Sequence, residues 1–306
     1  MRISKKISYD SQFRIEQILF KSFYYFCRLV PTGVVLGIGS LIGRLAWRLK
    51  ARKDTALKNM KLSFKDRYSK EELEDIAFRC YRHFGREMIR ILVLDREARR
   101  PLEKWIDIEG LEILRNREKP GGVLVSGHLG CWEIANFVMP KIGEDVTVFT
   151  GKHSNKVADR WLNEIRKRAG TKTSGSGDDR TELFKQTKVG LVAIVGDQAP
   201  PRAPIQIQFF GRPTEAAQGP ALLSLLNDVD LIYFSCMKVG DRMKVRFQKI
   251  EFEKASSRKE NVQRLTQAYF NILQAEVEQY PEQYLWMHKR WKKSKDVSYD
   301  ETDTLF

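Results

Sequence analysis

Cysteine, histidine, acidic residues and long apolar runs are all scarce in this 306-residue chain. The four cysteines, Cys27, Cys80, Cys131 and Cys236, lie far apart with no Cys-x-x-Cys pair. That excludes a disulfide scaffold and a zinc framework, and leaves reduced cytosolic thiols as the default. No second histidine sits at ligand spacing from His128, so no metal is expected. The longest uncharged run, Leu29–Gly43, has 15 residues and contains Pro31 and several glycines. A spanning helix needs about 20 apolar residues, so this run is too short to cross a bilayer comfortably. A basic stretch from Arg44 to Lys58 follows it where a secretory signal would carry a small-residue cleavage site. Acidic residues number 39 against 54 Lys and Arg, which gives a net charge of +15. Such a chain needs an anionic partner: nucleic acid, anionic lipid, or an acidic protein or substrate.

What is present begins with an uneven charge. Residues 1–60 carry a net +9, interleaved with Phe20, Phe23, Tyr24, Phe26, Ile38, Leu41, Leu45 and Trp47. The combination predicts a helix pair lying in a membrane interface, aromatic and aliphatic residues in the acyl region and Lys/Arg at anionic head groups. The competing reading is a buried helical hairpin. Nucleic acid is disfavoured, because no helix-turn-helix, zinc-finger or RNA-recognition signature is present. We therefore divide the chain into membrane-associating helices at 1–58, an α/β domain at 59–295 and an acidic tail at 296–306.

Residues 55–100 read as helical. Ser69 and Glu72 form a capping-box signature, and Leu73, Ile76, Ala77, Cys80 and Phe84 recur at helical spacing. Beyond Pro101, short β-rich runs alternate with helical stretches. The runs are Val123–Ser126, Val146–Thr150, Leu191–Val195, Ile205–Phe210, Leu231–Met237 and Val245–Ile250. The alternation predicts an α/β fold with a mostly parallel central sheet flanked by helices. The last two runs, separated across Gly240, read as an antiparallel hairpin at a sheet edge. Ser257 with Glu260 opens a long helix that Pro281 ends.

The segment Gly121 to Glu133 carries the chemistry. A buried strand enters a glycine-flanked turn and then a helix, which puts His128 at the strand's carboxyl end and Glu133 in the helix's first turn. Ligands bind at that edge of open α/β sheets. Imidazole titrates close to neutrality and suits a general base, and a carboxylate can hold its tautomer. Glu133 is the expected orienter. Backbone amides at Gly130–Cys131, or Arg166, are candidate donors to a developing oxyanion. Asp197 lies at a second strand's carboxyl end; it could orient Arg166, bind a head group, or serve only as a turn residue. Cys131 could in principle act as a nucleophile, but beside Trp132 it reads as packing. His153 reads as a head-group contact or plain surface. Trp286 and Trp291 amid Lys289, Arg290, Lys292 and Lys293 form a second basic-aromatic cluster, suited to lipid phosphates or an acidic carrier, or else a plain exposed amphipathic segment.

His128-Leu129-Gly130-Cys131-Trp132-Glu133 resembles the motif of the bacterial lipid A biosynthesis acyltransferases, and other blocks match in order. They are Asn59 to Phe64, Asn155 with Arg166, Asp197-Gln198, Phe209 to Pro213 with Gly219-Pro220-Ala221, and Pro281 to Lys292. Lys65, Thr150-Gly151-Lys152 and Ala217 depart from the family's pattern, which bears on acceptor and acyl-chain specificity. The resemblance implies a glycerolipid-acyltransferase-like fold at the cytoplasmic face of a bacterial inner membrane. It implies transfer of an acyl chain from an acyl carrier protein or CoA thioester to a hydroxyl of a lipid A precursor, with no cofactor. It implies His128 as base with Glu133, and Arg166, Asp197, Gln198, Asn155 and Gly130 as substrate or oxyanion contacts. Acylation of another glycolipid, such as a phosphatidylinositol mannoside, or of a lysophospholipid is the alternative within the enzyme class. A non-catalytic basic lipid- or nucleic-acid-binding protein is the alternative outside it.

Overall fold

The computed structural model describes residues 2–97, 99–151, 156–175, 180–200, 203–294 and 297–299. The first half is helical: α1 (Arg2–Leu29), α2 (Thr32–Arg48), α3 (Lys53–Phe64), α4 (Lys70–Arg90) and the short α5 (Leu94–Glu97). Strand β1 (Ile106–Glu109), helix α6 (Leu111–Arg115) and β2 (Gly122–Ser126) begin the α/β part. It continues through α7 (Ala135–Lys141), β3 (Val146–Thr150), α8 (Lys156–Arg168), β4 (Lys172–Gly175), α9 (Arg180–Val189) and β5 (Leu191–Val195). It ends with β6 (Pro204–Phe209), β7 (Arg212–Ala217), α10 (Gly219–Asn227), β8 (Leu231–Val239), β9 (Arg242–Lys249) and α11 (Arg258–Gln279).

Local rules account for the helix starts. Ser69 accepts the Glu72 amide, and Glu72 accepts the Ser69 amide at 2.7 Å, closing the box that starts α4. Ser257 caps α11 in the same way through the Glu260 amide. Helix α2 lies along α4 at backbone contact. A Cβ on Gly43 would meet the Tyr81 carbonyl at 2.1 Å, and one on Gly85 would meet the Gly39 carbonyl at 2.3 Å. Only glycine allows that approach. The opposite faces of α1 and α2 are open, with Ile18, Leu19, Leu29, Leu41 and Leu45 more than half exposed. Among the described residues no helix is long and apolar enough to cross a membrane.

Seven strands form the sheet in the order β1-β9-β8-β2-β5-β3-β4, parallel throughout except for the β8–β9 hairpin. Central β2 is buried along its whole length, as a strand covered on both faces must be. Its side chains divide two cores. Val123 and Val125 join α3, α4, α10, α11 and the C-terminal Trp286 and Trp291 on one face. Leu124 joins α7, Tyr24 of α1, Ile232 and Phe234 on the other. Burying each of these β2 side chains contributes about 1.5–3 kcal/mol.

Two expectations are corrected. The β8–β9 hairpin is not at the edge, because β1 adds a parallel strand outside β9. The run at 205–210 does not enter the main sheet. As β6 it pairs antiparallel with β7, through a turn at Phe210 and Gly211, both at positive φ.

Candidate active site

The parallel register of β2 on β5 sets Ser126 opposite Val195. His128 lies two residues beyond the first and Asp197 two beyond the second, so both emerge side by side at the carboxyl edge. His128 Nδ1–H donates to Asp197 Oδ1 at 2.6 Å. The imidazole is 22% exposed and the carboxylate 3%, and among the described residues Nδ1, not Nε2, takes the ring's hydrogen bond. Trp132 meets the imidazole edge to face at 5.0 Å. Gln198 Nε2 is 3.4 Å from His128 Nδ1.

Burial alone would push the Asp197 carboxyl up. His128, as a neighbouring charge and through hydrogen bonds from its side chain and backbone, outweighs that, with a smaller pull from Arg290. The carboxyl is held at about 2. Tyr284 also faces Asp197 and is pushed well above its ordinary value, first by burial and then by that carboxylate.

The loop that carries His128 is tied to the far end of the chain. Leu129 bridges Tyr284, Gly130 N–H donates to the Gln283 carbonyl at 2.8 Å, and Leu285 N–H donates to the His128 carbonyl at 3.0 Å. Gly130 sits at φ +63°, where an added Cβ would lie 2.0 Å from the Cys236 carbonyl. The C-terminal segment is itself clipped by Asn59, whose Nδ2 donates to the Trp286 and His288 carbonyls at 2.7 and 2.6 Å. The Asn59 block noted in the sequence is thus a support for this strap.

Three sequence expectations find different geometry. Glu133 does not bond His128. It takes Arg166 as a bidentate partner, with Nε donating at 3.0 Å and Nη2 to the other oxygen, and it accepts from Asn136 at 2.8 Å. Arg166, only 6% exposed, has its fork committed to Glu133 and its Nη1 to Asn163. It ties α8 to the turn that follows the loop. The Gly130 and Cys131 amides are likewise occupied, by the Gln283 and Cys236 carbonyls, so they are not free oxyanion donors. The α/β register explains the first difference: β5 inserts beside β2, between it and β3, and brings Asp197 in ahead of Glu133. Asn155 and His153 lie outside the described residues. Cys131 is buried, and burial first, then Glu87, raises its thiol well above the ordinary value, which suits packing.

The chain is an acyltransferase and belongs to the bacterial lipid A biosynthesis acyltransferase family, whose model matches residues 4–293. It is similar to the lipid A biosynthesis palmitoleoyltransferase of Escherichia coli strain K12, 26% identical over 269 residues that cover 86% of each chain. It is equally similar, 26% over 269 residues and 86% of each chain, to the lipid A biosynthesis acyltransferase of Shigella flexneri.

Proposed function

We propose that this enzyme moves a fatty acyl chain from an acyl thioester to a hydroxyl of a lipid A precursor, with His128 as general base and Asp197 as its orienter. The observation that carries this reading is the 2.6 Å His128–Asp197 hydrogen bond at the sheet's carboxyl edge. With Nδ1–H committed to Asp197, the Nε2 lone pair is the site that takes a proton. The acceptor hydroxyl loses its proton to Nε2 as its oxygen attacks the thioester carbonyl carbon. The tetrahedral intermediate collapses with cleavage of the C–S bond, and the imidazolium returns its proton to the leaving thiolate. Asp197, ionised over the working range, stabilises the imidazolium in between.

The donor is an acyl carrier protein or CoA thioester. Both are anionic, and the net charge of +15 favours their encounter. The exposed apolar faces of α1 and α2, beside Arg14, Lys21, Arg44 and Arg48, support attachment to an anionic membrane surface without spanning it.

The test is acyl transfer in detergent from a panel of acyl carriers to lipid A precursors, with products read by mass spectrometry. Wild-type protein adds one acyl mass to a precursor and His128→Ala does not. A His128→Ala protein with full transfer would falsify the assignment, and wild-type transfer only to other glycolipids or lysophospholipids would move the acceptor.

A further inference from the structure

Beyond the reacting pair lies a cavity of about 890 Å³ that begins where Asp197-Gln198 ends, with Ala199 and Pro200 in its wall. The rest of its lining comes from Arg52 before α3, Gln206 of β6, Pro213 to Glu215 of β7, and residues 288–290 and 292–294 beyond α11. Its size suits a substrate head group or a cofactor-sized arm.

The lining is cationic by construction. Arg52, Lys289, Arg290, Lys292 and Lys293 contribute to it, against the single carboxylate of Glu215, which Lys293 holds at 2.8 Å. Arg290 is 3% exposed, its guanidinium centred 5.7 Å from the Phe209 ring and 5.4 Å from that of Phe270. Nη1 donates to the Glu215 carbonyl at 2.9 Å, while Nε and Nη2 are enclosed without a hydrogen-bond partner among the described residues, as is His288 Nδ1. A cation fixed among aromatic rings is poorly screened, so its field reaches further than that of a solvated lysine. Thr214 and Ser294 also line the wall, their hydroxyls donating to the Arg290 and Pro213 carbonyls at 3.5 and 3.2 Å. His288 in the lining is within electrostatic range of both Asp197 and His128.

We propose that this cavity is a phosphate-binding subsite that holds a phosphate group of one of the two substrates while His128 acts on the acceptor hydroxyl. The inference rests on the acyl-transfer reading above for its choice of ligand. Three lysines and two arginines lining one small volume match a multiply charged oxyanion better than a single carboxylate. Two sources share that chemistry: the head group of the acceptor lipid and the phosphopantetheine arm of the donor.

Binding is read first without turnover. Full-length protein in non-ionic detergent is titrated by ³¹P NMR with glucose 1-phosphate and, separately, with phosphopantetheine. The inference requires that at least one probe binds, and that Lys292→Glu or Arg52→Gln weakens it by about tenfold or more. Binding of the sugar phosphate alone points to the acceptor, and binding of phosphopantetheine alone to the donor. Lys185→Glu, an exposed substitution on α9, is the control and leaves binding unchanged. Transfer assays then compare each substrate with its dephosphorylated form. Lys292→Glu lowers the kcat/KM preference for the phosphorylated form by about tenfold. If neither probe binds, or if the variants bind probe as wild type does, the subsite is overturned even where acyl transfer is intact. If a probe binds and the variants lose it while no lipid A precursor is acylated, the subsite stands and the acceptor assignment falls.

Discussion

His128 Nδ1 and Asp197 Oδ1 meet at 2.6 Å across 69 residues of sequence, because β2 and β5 are parallel neighbours whose carboxyl ends are level. The pair holds the imidazole in one tautomer and sets a buried carboxylate against it, the counter-ion our proposed mechanism needs. Asp197→Asn removes that counter-ion at nearly constant volume. We expect kcat to fall by roughly 10²–10⁴-fold with KM changed much less. Steady-state transfer kinetics check this, and a variant that keeps more than a tenth of wild-type kcat would remove Asp197 from the mechanism.

Glu133 should behave as a structural residue. Glu133→Gln leaves the Arg166 guanidinium buried and without its counter-charge, at a cost of about 3–5 kcal/mol. Replacing both, as Glu133→Gln with Arg166→Met, should recover part of that loss. Thermal melting of the two variants against wild type decides it. Near-native melting of the single variant with lost activity would instead return Glu133 to the chemistry.

Stability should depend on pH through Asp197. Folding lowers this pKa from the ordinary 3.8 to about 2, so its stabilisation is complete above the higher value and lost as pH falls toward the lower. The difference corresponds to about 2 kcal/mol. Denaturant melts of wild type and Asp197→Asn should therefore converge between pH 4 and 2. A gap that stays constant through this window would contradict the shift.

Gly130 offers a local test of the strap. Gly130→Ala places a Cβ against the Cys236 carbonyl at a positive φ, while Gly211→Ala, also at positive φ, meets nothing within 4 Å. The first should cost well over 1 kcal/mol and depress transfer, and the second only about 1 kcal/mol. Equal melting temperatures for the two would show that the loop gives way.

Attachment to membranes should depend on the open faces of α1 and α2. Ile18 is 64% and Leu41 63% exposed, so neither substitution disturbs a core. Ile18→Asp and Leu41→Asp should each weaken co-sedimentation with anionic vesicles by about tenfold, and added salt should weaken it further. Vesicle binding that survives both changes would place the contact elsewhere.

Much of this architecture was legible in the residues. The apolar runs at 123–126, 146–150 and 191–195 became β2, β3 and β5, and the Ser69 and Ser257 caps began α4 and α11 as expected. The strands that escaped notice are short or polar. Lys172–Gly175 pairs on one side only, Ile106–Glu109 has two carboxylates in four residues, and Arg212–Ala217 contains Pro213. Their pairing comes from tertiary context and not from propensity. In the site, His128 and Asp197 could be placed at strand ends from the sequence, but strand order could not be read there. Glu133, five residues from His128, was the nearer partner along the chain. Asp197 is the partner across the sheet. The cavity around Arg290 was visible only as a basic-aromatic cluster, since Arg52 and Glu215 reach it from remote elements.

The bridge between Leu129 and Tyr284 has a consequence for how the enzyme comes into being. A nascent chain that has emerged only as far as α11 already holds every strand of the sheet and both members of the His128–Asp197 pair. It still lacks the carbonyl that takes the Gly130 amide and the amide that takes the His128 carbonyl. The loop is therefore finished by residues 283–285, which follow every strand of the sheet, and residues just beyond them, 288–290 and 292–294, wall the basic cavity. A chain ended before residue 283 would carry His128 and Asp197 without the backbone partners that frame the loop between them.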